Sequence, residues 1–524
     1  MDYLPFIQEN LRSTAWFRPE LALTFGAVLL FLLDLVWRDA ATRVSRLSAA
    51  TLVVLGVAAA LLAVQPADAQ MLFNGMIAND ALSIFFKWLF LAAAALTVII
   101  SAQAKDIRPE RSGEFQAILL TVVLGLFLMA SSANLLMIYL SLELVSIGSY
   151  ILTGFKKGDR KAVEASLKYV IYGGVASGVM LFGMSYLYGL TGTADLPEMA
   201  RRIGTLSQTM AQAQAMGGQA AIRLTLILAV IFVLAGIGYK VAAVPWHMWC
   251  PDVYEGAPTP FTGFLSVGPK AAGFAVALRF FYGAFAAQPG TPLFDAQGLG
   301  AAVAGIPWPA VIGVVAAITM TLGNFTALGQ TNLKRLLAYS SIAHAGYTLM
   351  GLSALSKTGM QSVMIYMSIY LIMNLGAFLA VIVVAQTTGS ESIYEYRGLG
   401  KRAPLAATAF AVFLFSLTGI PPFAGFIGKY YLFLAVLERA SGPAGNWWMA
   451  LAICGALNSA VSLYYYARVL KAMFLESPYR DEPMGAAIGH RMLLGAFSAA
   501  VLVFGVAPGL LVQWTERSLQ LFRG

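Results

Sequence analysis

Charge is what this sequence has least of. Only 11% of its 524 residues are Asp, Glu, Lys or Arg, against about 25% in a typical soluble domain. That shortfall excludes a water-soluble globule, because there is too little polar surface to wet a chain of this length. Cysteine occurs twice, as Cys250 and Cys454. The two stand far apart and form no CxxC pair, so neither a disulfide framework nor an iron–sulfur site is supported. No Walker A sequence occurs, no GxGxxG opens a helix after a strand, and there is no CxxCH. The chain itself therefore shows no nucleotide, flavin, haem or iron–sulfur site. Residues 1–20 are mixed polar and no small-residue cleavage site follows the first apolar run, so no cleavable signal peptide is expected.

What the sequence has in quantity is apolar length. Hydrophobic residues make up 59% of the chain and mean hydropathy is +0.74. An apolar stretch of about 20 residues spans a bilayer. That window predicts an all-α integral membrane protein of about 14 transmembrane helices. The expected spans are 21–37, 48–65, 81–101, 115–131, 133–153, 163–190, 222–254, 261–286, 309–328, 333–355, 361–386, 404–438, 447–470 and 491–512. Short loops join them, so the chain reads as one polytopic membrane domain, 1–524.

The net charge of +9 raises the question of nucleic acid. The pattern answers it, because the basic residues sit in short clusters in alternate loops. These clusters are Arg38, Arg43 and Arg46; Lys105, Arg108 and Arg111; and Lys156, Lys157, Arg160 and Lys161. Lys334 and Arg335, then Arg397, Lys401 and Arg402, then Lys471 and Arg480 continue the series. Most intervening loops are poor in Lys and Arg, with Arg201 and Arg202 an exception. The positive-inside rule makes the basic loops cytoplasmic. An even span count then puts both termini on the outer side.

Two expected spans are too long and are interrupted. One breaks near Val244 and Pro245, the other at Ile420, Pro421 and Pro422. Proline removes a backbone donor and clashes with the preceding turn. A break at membrane depth is tolerated only inside protein or beside a hydrated cavity. Paired breaks in the two halves of a chain point to an ion path. The halves also look repeated, since 134–153 (NLLMIYLSLELVSIGSYILT) loosely parallels 332–351 (NLKRLLAYSSIAHAGYTLMG).

Charge at mid-span carries the chemical argument. An ionisable residue at the bilayer centre costs about 2.5–3.5 kcal/mol on insertion scales. Glu143, Lys240, Lys270 and Lys429 all sit there, so leaving all four uncompensated would cost on the order of 10 kcal/mol. They must pair, bind water or face a cavity. Glu143 has no cation near it in sequence and reads as a proton site, with a helix-pinning ion pair as the alternative. Lys240 and Lys429 lie beside the two breaks, where freed carbonyls can solvate an ammonium. Lys270 follows Pro269 among small residues. From mid-span these lysines are too deep to snorkel to the headgroups. His344 is placed either to relay protons or to hydrogen-bond two helices. Lys168, one or two turns inside the membrane face, either tunes Glu143 or snorkels. His247 reads as structural, and Lys87, Asp34 and Arg279 as anchors near span ends.

At these residues the chain resembles the antiporter-like membrane subunits of complex I, the proton-pumping NADH:quinone oxidoreductase. Within that group it is similar to the subunit N branch, the counterpart of mitochondrial NADH dehydrogenase subunit 2. The resemblance is strongest in PWHMWCPDVYEGAPTPFTGFLSVGPKAAGF from Pro245, NLKRLLAYSSIAHAGY from Asn332 and SLTGIPPFAGFIGKY from Ser416. It implies an inverted duplication of five-helix units with two broken helices. The expected division is extra helices at 1–112, a first repeat at 113–300, a second at 301–475 and a C-terminal helix at 476–524. It implies that Glu143 is the family's essential glutamate, Lys240 and Lys429 its broken-helix lysines, and Lys270 its central lysine, with His344 in the polar axis. The chain ends soon after its last span, unlike the subunit with a long lateral helix. The implied activity is proton translocation in a bacterial inner membrane, driven by electron transfer from NADH to quinone in other subunits. No cofactor or metal is expected in this chain, while NAD, FMN, iron–sulfur clusters and quinone belong to the complex. The implied partners are other complex I subunits, including neighbouring antiporter-like ones, and the lipid bilayer, with no nucleic acid. The alternatives are a subunit of a multi-subunit cation/proton antiporter or membrane-bound hydrogenase, a passive scaffold, and a quinone-reactive redox subunit.

Overall fold

The structure is a computed structural model. It describes residues 4–37, 39–65, 69–212, 218–286, 294–295, 298–302, 306–442, 445–478, 482–519 and 521. Arg38 and Arg480 of the basic clusters lie outside the described residues.

The chain opens with α1 (Leu4–Trp16), α2 (Arg18–Val36), α3 (Ala40–Ala63) and α4 (Ala81–Ser101). Next come α5 (Ser112–Ser131), α6 (Leu135–Thr153), α7 (Arg160–Thr191), α8 (Leu196–Gln212), α9 (Gly218–Val241), α10 (Trp249–Gly256) and α11 (Thr259–Ala284). Then follow α12 (Trp308–Leu328), α13 (Leu333–Ser353), α14 (Lys357–Thr388), α15 (Leu399–Arg402), α16 (Pro404–Thr418), α17 (Ala424–Ala440) and α18 (Gly445–Leu475). The chain closes with α19 (Ile488–Val506) and α20 (Gly509–Arg517). Among the described residues, 12 helices are long and apolar enough to cross a membrane. Helix α13 and the α16–α17 pair complete the fourteen crossings expected from the sequence.

Several elements escaped the hydropathy window because they do not span, the short α15 and α20 among them. A two-stranded hairpin, β1 (Gln70–Leu72) with β2 (Ile77–Asn79), turns through Phe73, Asn74 and Gly75 at positive φ. Helix α1 is short and exposes Leu4, Phe6 and Leu11. Helix α8 is amphipathic, burying Leu196, Met199, Ala200 and Ile203 at helical spacing. The basic exception in the loop pattern lies on its other face, where Arg201 and Arg202 both pair with Glu198. Those two guanidiniums hold the Glu198 carboxyl down at about 2.

The fold is an inverted duplication of five spanning helices. Asn134 caps α6 through the Leu136 N–H, and Asn332 caps α13 through the Arg335 N–H. Each entrance is tied by the same pair of backbone bonds to the segment beyond the next long helix. Leu135 and Ala194, with Leu196 and Ala133, make them in one half. Leu333 and Glu391, with Ile393 and Thr331, make them in the other. Helices α7 and α14 each have 32 residues and end on a left-handed glycine, Gly192 and Gly389. The break between α9 and α10 holds a cis Val244–Pro245 bond, and that between α16 and α17 a cis Pro421–Pro422 bond. Five crossings is an odd number, so the second unit must start from the opposite face and run inverted.

Helix α11 is buried along its whole length and α14 nearly so, and they pack together at the centre. Helices α12 and α13 approach backbone to backbone through Gly323 and Gly346. A side chain at Gly323 would strike Ala343, and one at Gly346 would strike Met320. Without a hydrophobic drive between helices in lipid, such small residues are what permit tight contact.

The expected anchors are buried ion pairs instead. Lys87 pairs with Glu20 at 2.7 Å, and Arg279 with Asp80 at 2.5 Å, both all but sealed from solvent. Asp34 takes Arg43 at 2.6 Å with partial exposure. Their partners stand on other elements, so span position alone could not separate a snorkelling cation from a paired one. Asp80 also caps α4 with Ser83, so one carboxylate fixes a helix start and fastens α11 to it. Arg279 additionally donates to the Ala130 carbonyl. Breaking a buried pair leaves one charge uncompensated. Arg279→Met is therefore expected to destabilise the protein by roughly 3–5 kcal/mol, read as a large fall in the melting temperature of the detergent-solubilised protein. Combining it with Asp80→Asn, which removes the stranded charge and keeps an acceptor for the α4 cap, should recover most of the loss.

A line of buried lysines joined by a polar helix face

Glu143 sits on α6, half-buried, at the edge of an uncovered apolar face that carries Leu140 and Ile147. Its buried Oε1 has no hydrogen-bond partner among the described residues. One turn further along, Ser146 accepts from Lys240 Nζ at 3.1 Å. Lys240 is buried in the last turn of α9, and the chain leaves the helix at Ala242 in a left-handed conformation. The freed Val244 N–H is taken by Thr319 at 3.0 Å. Helix α11 crosses this turn at Gly273, where a side chain would collide with Val241 and touch the Lys240 stem.

Lys270 lies one turn before Gly273. Its ammonium donates to the Ser341 hydroxyl at 2.6 Å and the Ser341 carbonyl at 3.1 Å, with the Tyr254 ring 5.8 Å away. Pro269 beside it has no N–H to give to the preceding turn, a local weakness of α11 at the lysine. On α13, three residues past Ser341, His344 Nδ1 bonds the Tyr366 hydroxyl and Nε2 meets the Tyr466 hydroxyl at 3.3 Å. Tyr466 in turn bonds Ser340 at 2.5 Å.

Lys429 closes the line. It donates to the Thr418 carbonyl at 2.7 Å and to Ser459 at 2.9 Å. The Thr418 carbonyl is one of those the break after α16 leaves free. Gly419 at φ +88 turns the chain there, and any side chain on it would strike the Lys429 stem. The ammonium lies 4.6 Å from the Tyr347 ring. Tyr347 is on the same face of α13 as His344 and Ser340, at helical spacing. That face spans the distance from Lys270 to Lys429.

Each of the three lysines is held by neutral oxygens, and among the described residues none forms an ion pair. Charges in so apolar a setting act on one another over longer range than in water. The structure brings Glu143 and Lys240 to one end, Lys270 and His344 to the middle and Lys429 to the other end. No direct hydrogen bond joins Lys240 to Lys270 among the described residues. Lys168 stands apart: its ammonium pairs with Asp252 at 2.6 Å and Glu164 at 2.7 Å, not with Glu143. His247 lies buried in the first break, its Nδ1 without a hydrogen-bond partner among the described residues. Sequence reading missed Ser146, Ser341, Tyr366, Tyr466, Thr418 and Ser459. Of these only Ser341, on α13, carried a signal, three residues before His344 within one polar stretch.

The basic loops meet on one face. Lys156 pairs with Asp106, Lys161 with Glu255, and Arg335 with both Glu255 and Asp252. Arg397 and Lys471 share Glu476. Asp106 also accepts the Thr259 N–H at the head of α11, at 2.8 Å. No group of three or more metal-ligating side chains occurs among the described residues.

The sequence profile described as NADH:quinone oxidoreductase/Mrp antiporter, TM, matches residues 132–462. A relative from Anaeromyxobacter sp. named NADH-quinone oxidoreductase subunit N is 67% identical, covering 100% of this chain and 99% of its own. Among solved structures, a chain of respiratory complex I from Thermus thermophilus superposes with a TM-score of 0.73 at 30% identity, covering 94% of this chain and 98% of its own. A chain of the Mrp complex from Dietzia sp. has the same fold, with a TM-score of 0.74 at 21% identity over 95% of this chain and 97% of its own.

Burial pushes the Asp106 carboxyl up, but Lys156, Lys334 and the Thr259 N–H overcome it and hold it below its ordinary 3.8. A depressed folded-state value stabilises fully above the ordinary value and loses that contribution as pH falls through the folded one. Asp106→Asn should therefore lower the melting temperature by a few degrees at neutral pH. The gap to the parent should close as pH drops below the carboxylate range, as measured by thermal melts across pH.

Proposed function

This chain belongs to the NADH:quinone oxidoreductase/Mrp antiporter membrane family, and we propose that its line of buried lysines is the proton path of that family's activity. The protein is a multi-pass membrane subunit of an NADH:quinone oxidoreductase, of the antiporter-like, proton-translocating kind. It works as part of that translocase with the other subunits of the complex, neighbouring antiporter-like subunits among them. NAD, FMN, iron–sulfur clusters and quinone are assigned to those other subunits, and the membrane to the bacterial inner membrane. The clustering of basic residues on one face supports a cytoplasmic assignment for that face, with both termini outside.

In this reading a proton enters near Glu143 and Lys240, moves through Lys270 and His344, and leaves past Lys429. The observation that carries it is that three lysines, each more than nine-tenths buried, are bound only by neutral oxygens. An ammonium paired with a carboxylate is fixed in charge for as long as that carboxylate stays ionised, whereas one on hydroxyls and carbonyls can lose and regain its proton as its neighbours change. Displacing one charge then changes the proton affinity of the next. Ser341 and His344 on one helix face give the transfer its direction between Lys270 and Lys429. Lys168 is an outlying residue of this scheme, acting through the cation network at the membrane face. The same reading divides the chain into 1–112, a first repeat at 113–300, a second at 301–475 and 476–524. The matched entrances at Asn134 and Asn332 support that division.

The alternative is a subunit of a multi-subunit cation/proton antiporter or membrane-bound hydrogenase, and a chain of the Mrp complex shares the fold. The 67% identity to a subunit N relative favours the oxidoreductase. A native gel of gently solubilised membranes separates the two, since the chain should co-migrate with NADH dehydrogenase activity. Lys429→Met should lower protons pumped per NADH oxidised in inverted vesicles while the complex still assembles. Full pumping by that variant would defeat the transport reading.

A further inference from the structure

The face that gathers the basic loops holds a cavity of about 560 Å³, and the path above makes no use of it. Exposed Lys105 and Lys161 stand at its rim, and Asp106, Lys156 and Glu391 line its wall. Beneath Glu391 lies Lys334, completely buried in the first turn of α13. Its ammonium meets Glu391 at 3.2 Å and donates to the carbonyls of Glu255 at 2.9 Å and Ala257 at 2.8 Å. Those carbonyls end α10, the second half of the first broken helix. Asn332 holds the other Glu391 oxygen at 3.2 Å.

This pair has an unusual position. Lys334 precedes Ser341 by seven residues on α13, two turns or about 10 Å along the axis, and Ser341 holds the Lys270 ammonium. Tyr254 on α10 reaches the same serine with its hydroxyl at 3.3 Å. The cavity therefore stands over the junction of α10, α11 and α13, with the central lysine below its floor. Glu391 is part exposed to the cavity while Lys334 is sealed, so the pair straddles the boundary between solvent and protein.

We propose that this cavity is a second proton port, leading to Lys270 directly, and that the Glu391–Lys334 pair is its gate. The proposal rests on the reading that Lys270 lies on a proton path. Water in the cavity gives a proton to the Glu391 carboxylate, which becomes neutral and loosens its hold on Lys334. Once Lys270 has given its own proton toward His344 and stands as the neutral amine, Lys334 passes a proton to it through intervening water, and takes the Glu391 proton in its place. The carboxylate is restored, the ion pair re-forms, and one proton has moved from cavity to Lys270. Lys105, Lys156, Lys161, Lys334 and Asp106 are the charges that surround Glu391.

The test uses inverted membrane vesicles carrying the assembled complex, with protons pumped per NADH oxidised as the readout. Glu391→Gln keeps the shape and the Asn332 contact but cannot carry a proton as an acid. It should lower the ratio part of the way to that of Lys270→Met, because entry past Glu143 and Lys240 stays open, and Glu391→Asp should restore it. As a second measurement, Ser390→Cys places a thiol in the cavity wall, to be capped with a bulky impermeant maleimide and compared with the parent treated alike. Capping should lower the ratio to the same intermediate level, and it stands as the test if Glu391→Gln fails to assemble. An undiminished ratio in assembled Glu391→Gln, or after complete capping, overturns the port when Lys270→Met is itself lowered. A full ratio in Lys270→Met overturns the underlying path instead.

Discussion

The structure depends on one constraint, which is how to keep positive charge inside an apolar bundle without neutralising it. A carboxylate beside each lysine would satisfy the energy and fix the charge in place. The bundle supplies hydroxyls and backbone carbonyls instead. Ser146, Ser341 and Ser459 each take one ammonium. The Thr418 carbonyl is available to Lys429 because the helix ends there, and a continuous helix would have used it internally. The break after α16 is thus a solvation device for charge, whereas at the first break Lys240 is held by the Ser146 hydroxyl of α6.

Set against this, the same chain contains fully buried lysine and arginine of the other kind. Lys87 with Glu20 and Arg279 with Asp80 are carboxylate-paired and lie away from the α13 line. Their job follows from their partners. Arg279 binds the capping residue of α4 and a carbonyl of α5, so it ties three helices at one point. The division between fixed and exchangeable charge is made by the acceptor, since the cationic residue types are shared.

The duplicated architecture makes this arrangement possible. Each half contributes one broken helix with a lysine at the break, and the two inverted halves bring those breaks to either side of α11 and α13. Close packing through Gly323 and Gly346 holds α13 against α12, leaving its polar face free to span the interval between them. A bulkier residue at either glycine would push α13 away and lengthen the gaps that protons must cross.

The fourteen crossings, the two breaks and the mid-span charges were all legible in the sequence, because each is a local property. Apolar length sets a span, proline ends a helix, and a lysine deep within a span has nowhere to snorkel. The elements that were not legible, α1, α8 and the β1–β2 hairpin among them, are too short or too polar to register as spans. What the sequence could not give is who holds each charge. Lys87 and Lys270 look alike on paper, and only tertiary packing gives one a glutamate from α2 and the other a serine from α13. Lys168, on the helix after that of Glu143, turns instead to Asp252 on the second half of the broken helix. Partnerships of this kind join residues tens to hundreds of positions apart. They are decided by which helix faces meet, and hydropathy along the chain carries no record of that.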